Sequence, residues 1–507
     1  MQHLSKATRR EFMKKAGALT VMQAAAPLAA SLTLMNNAAA QVAATPSDYK
    51  ALVCVFMYGA NDHYGTVVPY RLDLHNAYRK IRGKDGELLV PDDQLGGDYS
   101  GIAVLRSKLR TLTSRGSVLD HALHPAMDGM QALFNEGRAG IVMNVGPLIQ
   151  PTTYLDFKNR LQTHWPLPPN LLSHNNQQAY WQTAFRGETA PTGWGGRMAD
   201  LFLTSNGENA NLTCVSVTGD ALLLSGNYTI STKMSAAGVA TMNPLNNSWS
   251  KTYGNDVAAL DMIRALSTSS GQHMMTAQYA NVMNRSLSTY NTVASELGTA
   301  AITKSDSAYM PSAHDQLPNT TYNPTNVKTE STPLAEQLEM VARMIQQGPA
   351  MGMKRQVFMV GVGGFDLHDN LVSQHPTLLK MVSDACAEFD AAMVKMGLGN
   401  KVTTFTASDF GRTLSSNGDG SDHGWGSHHV VLGGAVNGGK LYGDAPEIGL
   451  THAQSIGGGI LIPTTSLEQL FVPMASWFGV PTSLMAQVFP NVQNFDLTSL
   501  SGLLKTS

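Results

Sequence analysis

Tyr49-Lys-Ala-Leu-Val-Cys-Val-Phe-Met-Tyr-Gly-Ala-Asn-Asp62 ("YKALVCVFMYGAND") is a short apolar run closed by a turn and an acid. β-branched and aromatic residues from Tyr49 to Met57 read as a strand buried on both faces, as parallel strands are. Tyr58 to Asp62 reads as the loop that follows. The same sentence of sequence recurs twice. Arg355 to Gly361 ("RQVFMVG") predicts a strand that leads through glycines to Asp366 and His368, and Val402 to Thr406 ("VTTFT") predicts one that ends at Asp409. Ala139 to Val145 ("AGIVMNV") predicts a further strand, after a helical stretch from His124 to Phe134. Helical spacing marks Leu334 to Ile345, Leu378 to Leu398 and Leu467 to Phe478. Strands alternating with helices predict an α/β sheet. Between these blocks, from about Ser205 to Thr332, Asn, Ser, Thr and Ala dominate. Thr276 to Leu297 there reads as a helix and Ser307 to Thr332 as a loop, so this region is expected to be an insertion or cap subdomain.

The chain has 507 residues, 43% apolar and 14% charged, with a net charge of −2. That is a globular composition with room for a large core and no basic surplus to suggest a nucleic-acid partner. Its three cysteines, Cys54, Cys214 and Cys386, exclude a disulfide scaffold. Thr8-Arg9-Arg10-Glu11-Phe12-Met13-Lys14, the alanine-rich stretch after it and Ala38-Ala39-Ala40 read as a twin-arginine export signal with its cleavage site. The translocase of that pathway is thus an expected partner. The mature protein is expected to be periplasmic or secreted, with no transmembrane segment.

Ligands of open α/β sheets bind beyond the carboxyl ends of the strands. Loops after three strands would bring Asp62, Asp366, His368 and Asp409 to one crevice, and Asp422-His423, a short way beyond Asp409, would fold over the same edge. Carboxylates mixed with imidazoles suit Zn, Mn or Fe, whereas oxygen-only sets suit Mg or Ca. A divalent metal, Zn or Mn ahead of Mg or Ca, is therefore the expected cofactor. Each aspartate has a plainer reading as a helix cap or turn residue. Ser173, after Pro166-Leu-Pro-Pro169 and before a helix, is either a nucleophile at a helix N-terminus or an N-cap. Arg412 either clamps an anion or is a structural partner of Asp409. Of the adjacent His428 and His429, only one can face the site, because strand side chains alternate. Trp181, Trp194 and Trp425 are pocket or core residues. No P-loop, no G-x-S-x-G elbow and no G-x-G-x-x-G spacing occurs.

At "VFMYGANDHYGTVVPY", "PPNLLSHNNQQAYWQT", "GMKRQVFMVGVGGFDLHDN", "VTTFTASDFGRT" and "SDHGWGSHHVVLGGAVNGGKLYG" the chain resembles the bacterial domain-of-unknown-function 1501 family, twin-arginine-exported proteins grouped with the alkaline phosphatase and sulfatase superfamily. The resemblance implies an alkaline phosphatase-like α/β fold: a large, mostly parallel sheet sandwiched by helices. It would comprise a signal peptide at 1–40, one domain in two parts at 41–204 and 333–507, and a helical or irregular insertion at 205–332. By the same resemblance Asp62, Asp366, His368, Asp409 and His423 would be metal ligands, with Asp422 beside the last. Ser173 would stand where the nucleophile stands. The implied function is an exported metal-dependent hydrolase of phosphate or sulfate esters, its partner a small anionic ester. The alternative is a non-catalytic exported binding or structural protein on the same fold. Three departures from the superfamily pattern stand out: Phe410 follows Asp409 in place of a histidine, Asp366-x-His368 is a shortened spacing, and no Cys-x-Pro-x-Arg signature surrounds Ser173.

Overall fold

The three strands that end in acidic loops are neighbours. In the computed structural model, which describes residues 46–83, 101–184, 191–239, 257–269, 273–299 and 332–505, nine strands form the main sheet. In chain order they are β1 (Lys50–Met57), β2 (Ala139–Gly146), β3 (Cys214–Ser216), β4 (Thr232–Lys233), β5 (Arg355–Val362), β6 (Val402–Ser408), β7 (Ser427–Leu432), β8 (Leu441–Tyr442) and β9 (Thr465–Ser466). Their spatial order is β8-β2-β7-β6-β1-β5-β3-β4, with β9 also paired to β2. β1 lies between β5 and β6 and is parallel to both. β7 is antiparallel to its neighbours β6 and β2. The expected large, mostly parallel sheet is present. The stretch expected as an insertion supplies β3 and β4 to that sheet, and it also contains the helices Val257–Thr268 and Met274–Thr299. The signal segment and most of the predicted Ser307 to Thr332 loop lie outside the described residues.

Helices cover both faces. Ala51, Val53, Val55 and Met57 of β1 join one apolar cluster with residues of helices α2 (Asp128–Asn135), α4 (Pro333–Gln347) and α5 (Leu371–Lys395). Leu52, Cys54 and Phe56 join the other, with Trp181 of α3 (His174–Thr183), Trp194, and Phe471 of α6 (Leu467–Phe478). α1 (Leu72–Arg82) lies outside this sandwich, against the hairpin Arg412–Ser416/Ser421–His423. The period-two split of β1 between two cores explains its unbroken apolar sequence, each of its Val, Leu, Phe and Met side chains contributing about 1.5–3 kcal/mol when fully buried. Local signals set the helix ends. Thr332 caps Ala335 N–H ahead of Pro333 at the first position of α4, and Ser466 and Gln469 form a capping box on α6. α5 begins earlier than its predicted start at Leu378, because Asn370 in the left-handed region opens it and it runs through Pro376. Trp181, Trp194 and Trp425 are core residues, at most 2% exposed. Cys54, Cys214 and Cys386 are buried free thiols. Among the described residues no helix is long and apolar enough to cross a membrane.

Glu468, in the first turn of α6, is 1% exposed, and its Oε2 has no hydrogen-bond partner. Burial pushes its carboxyl up from 4.5 to about 7, and the nearby Asn491 and Ser466 side chains offset this only in part. The folded chain therefore holds a proton that the unfolded chain releases near the ordinary value. Stability should fall as pH rises through that window, by about 3 kcal/mol in total. Glu468→Gln is expected to match the unaltered protein at pH 4 and to exceed it at pH 8, read from urea midpoints. A difference independent of pH would refute this.

Candidate metal centre

The register of the sheet builds the site. Met57 at the end of β1 lies opposite both Val362 of β5 and Ser408 of β6, so three loops leave one edge at one level. Gly59 lets them approach: its φ is +107°, and an added Cβ would lie 2.5 Å from Asp366 N. His174, the first residue of α3, reaches into this edge and bridges two of the loops. Its Nδ1 lies 2.6 Å from Asp409 Oδ2 and its Nε2 3.4 Å from Asp366 Oδ2. The hairpin Arg412–Ser416/Ser421–His423 folds back over the edge, pairing Arg412 with His423. His423 Nε2 then lies 3.1 Å from His174 Nε2 and 3.6 Å from Asp366 Oδ1. The ring of Phe410 packs against both imidazoles, with centroids 4.8 and 4.7 Å away.

Hydrogen-bond partners assign the two tautomers. His174 Nδ1–H donates to the Asp409 carboxylate, and His423 Nδ1–H donates to the Leu172 carbonyl at 2.8 Å. In the neutral tautomers set by these bonds both Nε2 atoms are lone-pair acceptors, facing one another 3.1 Å apart beside the Asp366 carboxylate. Acceptors this close repel unless a shared proton or a metal cation lies between them. The two Nε2 atoms lie 3.1 Å apart, and 3.4 and 3.6 Å from the Oδ2 and Oδ1 oxygens of Asp366 respectively, near the roughly 3.3 Å between ligand atoms expected for tetrahedral Zn with bonds of about 2.0–2.1 Å. His174, Asp366 and His423 thus fit a divalent metal. They are the group of such residues, among those described, whose ligand atoms all lie within 4.8 Å of one another.

Charge tunes this cluster. Burial works to raise the Asp366 carboxyl, but the Arg412 guanidinium beside it, with His174 and His368, holds it below the ordinary value. Asp409 is raised, because its burial outweighs the hydrogen bonds from Gln178 and His174. Burial also lowers His423, as do the nearby His174, Arg412 and His368, against the Leu172 carbonyl. The shifts of Asp366 and His423 both favour the proton-free form of their acceptor atoms, whereas that of Asp409 favours its protonated form.

Of the residues singled out from sequence, Asp366, His368, Asp409, Asp422 and His423 come together, and Asp62 does not join them. Asp62 Oδ1 and Oδ2 each accept from Arg82 of α1 at 2.8 Å, in a pair whose side chains are at most 1% exposed. Arg82 holds both oxygens, so Asp62 stands apart from the cluster of His174, Asp366 and His423. Asp409 touches His174 instead of the focal point. His368 lies at the exposed rim, with Nε2 3.2 Å from Asp366 Oδ1 and Nδ1 3.1 Å from Asp422 Oδ1. Asp422 is thus one residue removed from the focus.

Arg412 is not placed to clamp a substrate anion. It is fully buried and donates to the carbonyls of Gly59, Ala60 and Ser421 and to Asp366. Its partner is Asp366, whereas sequence reading offered Asp409. Ser173 occupies the N-cap position of α3, yet its hydroxyl donates to Asn176 Oδ1 at 3.0 Å rather than capping the helix or engaging a base. His428 packs on His63 and His429 on Trp181, the opposite faces expected of strand neighbours. Sequence reading did not single out His174. Its signal was present in "LLSHNNQQ": a histidine at the start of a helix, with Gln178 one turn on and bound to the same Asp409 oxygen at 2.8 Å.

Fold and site together define an α/β protein with a two-histidine, one-carboxylate centre at the carboxyl ends of its central strands. Residues 49–465 match the family described as "Protein of unknown function (DUF1501)", and the chain belongs to that family. No curated protein matches it. Solved structures similar to it include Ps i-CgsB, at 8% identity and a TM-score of 0.34, covering 88% of this chain and 77% of that one. The lipoteichoic acid synthase LtaP from Listeria monocytogenes is similar at 8% identity and a TM-score of 0.31, covering 90% and 81%. The PsFucS1 sulfatase from Pseudoalteromonas sp. is similar at 9% identity and a TM-score of 0.33, covering 93% and 77%. At these scores the likeness bears on neither substrate nor reaction.

Proposed function

We propose that the chain is an exported, metal-dependent hydrolase of phosphate or sulfate esters that works from a single divalent-metal centre at His174, Asp366 and His423. The observation that carries this reading is the pair of Nε2 acceptors 3.1 Å apart beside a carboxylate, an arrangement that calls for a cation. Three protein ligands leave a coordination position open, the pattern of catalytic rather than structural zinc. The side chains of His174, His423 and Asp366 are 26%, 27% and 47% exposed, so a ligand can reach them. A bound divalent cation would supply Lewis-acid polarisation of a phosphoryl or sulfuryl oxygen. The chain's own part is to orient the two imidazoles through Asp409 and Leu172, and to hold Asp366 ionised through Arg412. Phe410 walls the two imidazoles with an apolar ring.

A second reading, a non-catalytic binding protein on this fold, is favoured by two specific features. The Ser173 hydroxyl donates to Asn176 rather than to a base, and the guanidiniums of Arg82 and Arg412 are turned inward. Protein purified through its native export route and assayed by mass spectrometry and on aryl phosphates, phosphodiesters and aryl sulfates separates the two. The hydrolase reading expects about one Zn or Mn per chain, with turnover that a chelator abolishes and the metal restores. A metal-free protein inert on the whole panel would leave the binder.

A further inference from the structure

Asp409 follows β6 where a direct metal ligand was expected, and its contacts give it another task. It is fully buried, and its Oδ2 gathers three donors: His174 Nδ1–H at 2.6 Å, Gln178 Nε2–H at 2.8 Å and Gly59 N–H at 3.3 Å. Its Oδ1 is buried with no hydrogen-bond partner. A buried carboxylate with one bare oxygen costs stability, so packing alone does not account for it. Three donors converging on one oxygen fix that oxygen in space. His174 and Gln178 are one helical turn apart on α3, so Asp409 also fixes the rotation of that helix end toward the site.

We propose that Asp409 is a positioning residue lying outside the metal's coordination shell. It holds His174 in the Nδ1–H tautomer, so that Nε2 is presented to the cation. This inference rests on the metal centre proposed above. It deepens that reading by excluding Asp409 from the coordination shell and by assigning it the tautomer of His174. On the other side of the site the Leu172 carbonyl does the same for His423. Leu172 has a φ of +70°, an unusual conformation for a bulky residue, and strain of this kind is held where geometry must be set. One imidazole is thus set by a side chain and the other by the backbone, so only the first can be altered by substitution without moving the chain.

The test uses the full mature chain, zinc alone as the probe, and the variants Asp409→Asn and Asp409→Leu. Zinc affinity is read by chelator competition, the first shell by zinc X-ray absorption, and folding by the melting temperature of the metal-free proteins. Loss of an outer-sphere partner typically weakens metal binding about 10–100-fold. Asp409→Leu is expected to show such a loss. Asp409→Asn, which keeps an acceptor for His174 Nδ1–H, is expected to show a smaller one of at least about threefold. Both should keep the unaltered chain's number of first-shell nitrogen and oxygen atoms. If Asp409→Leu does not fold, Asp409→Asn decides by the same criteria. Affinity within about twofold of the unaltered chain would overturn the proposal. A first shell short of one oxygen would also overturn it, because Asp409 would then be a ligand. Both results leave the metal centre itself standing. An unaltered chain that binds no zinc would instead remove the centre, and this proposal with it.

Discussion

A His174→Ala protein titrated with zinc is expected to bind it at least about a hundredfold more weakly than the unaltered chain. Removing a direct ligand should cost no less than the 10–100-fold that follows the loss of an outer-sphere partner. The loss should be visible in stability as well as in affinity. A ligand that binds only the folded state stabilises it by RT ln(1 + [L]/Kd), about 2.7 kcal/mol at a hundred times Kd. At that zinc concentration the variant's gain falls to about 0.4 kcal/mol, so the zinc-dependent rise in melting temperature should all but vanish. The metal-free proteins set a second condition. His174→Ala removes one of two facing acceptors, which helps, but strips Asp409 Oδ2 of its closest donor, which costs about 1–3 kcal/mol. His423→Ala separates the two effects, since its Nδ1 partner is only the half-buried Leu172 carbonyl. It should lose zinc equally while leaving the metal-free chain nearly as stable as before. Undiminished zinc binding in either variant would remove the proposed centre.

Which parts of this site could be read in advance follows from where each signal is stored. Parallel strands buried on both faces announce themselves as unbroken apolar runs, and a polar residue at their carboxyl end marks a sheet edge. That was enough to gather Asp366, Asp409 and the hairpin carrying His423, because registry alone sets β1, β5 and β6 level. What each carboxylate does there is stored elsewhere. Asp62 has the same local context as Asp409, and its fate is decided by Arg82 on a helix twenty residues on. Arg412 could be read as an anion clamp or as a structural partner of Asp409. Three backbone carbonyls hold it inside, and no residue type signals a carbonyl's direction. The tautomer of His423 likewise depends on the left-handed backbone at Leu172. Phe410 looked like a missing ligand, but its ring packs against both imidazoles that remain.

Arg82→Ala is expected to destabilise the fold by about 3–5 kcal/mol, because it leaves a buried carboxylate without its counter-charge. The pair is closed on every side: Arg82 Nε also donates to the Leu414 carbonyl at 3.2 Å, and the rings of Tyr64 and Tyr78 lie 5.8 Å from the guanidinium. Asp62→Asn should cost a comparable amount by leaving the guanidinium unpaired. Replacing both by apolar residues of similar size, Asp62→Leu with Arg82→Met, should recover most of the loss, since burying two charges offsets much of what their attraction gains. The sign with pH follows from Asp62. Burial works to raise its carboxyl, but Arg82 holds it below its ordinary value of 3.8. The stability it contributes is present above that value and is lost as pH falls through the lower, folded-state one, so the double variant should lose this pair's share of the acid sensitivity. Zinc affinity then separates this role from the one its sequence context suggested. A structural ion pair predicts that Asp62→Asn, where it remains folded, binds zinc as tightly as the unaltered chain. A coordinating Asp62 predicts the reverse: an unchanged urea midpoint and a large loss of zinc. That second outcome would require Arg82 to release the carboxylate when metal binds, and the single-metal centre would have to be redrawn with a fourth protein ligand.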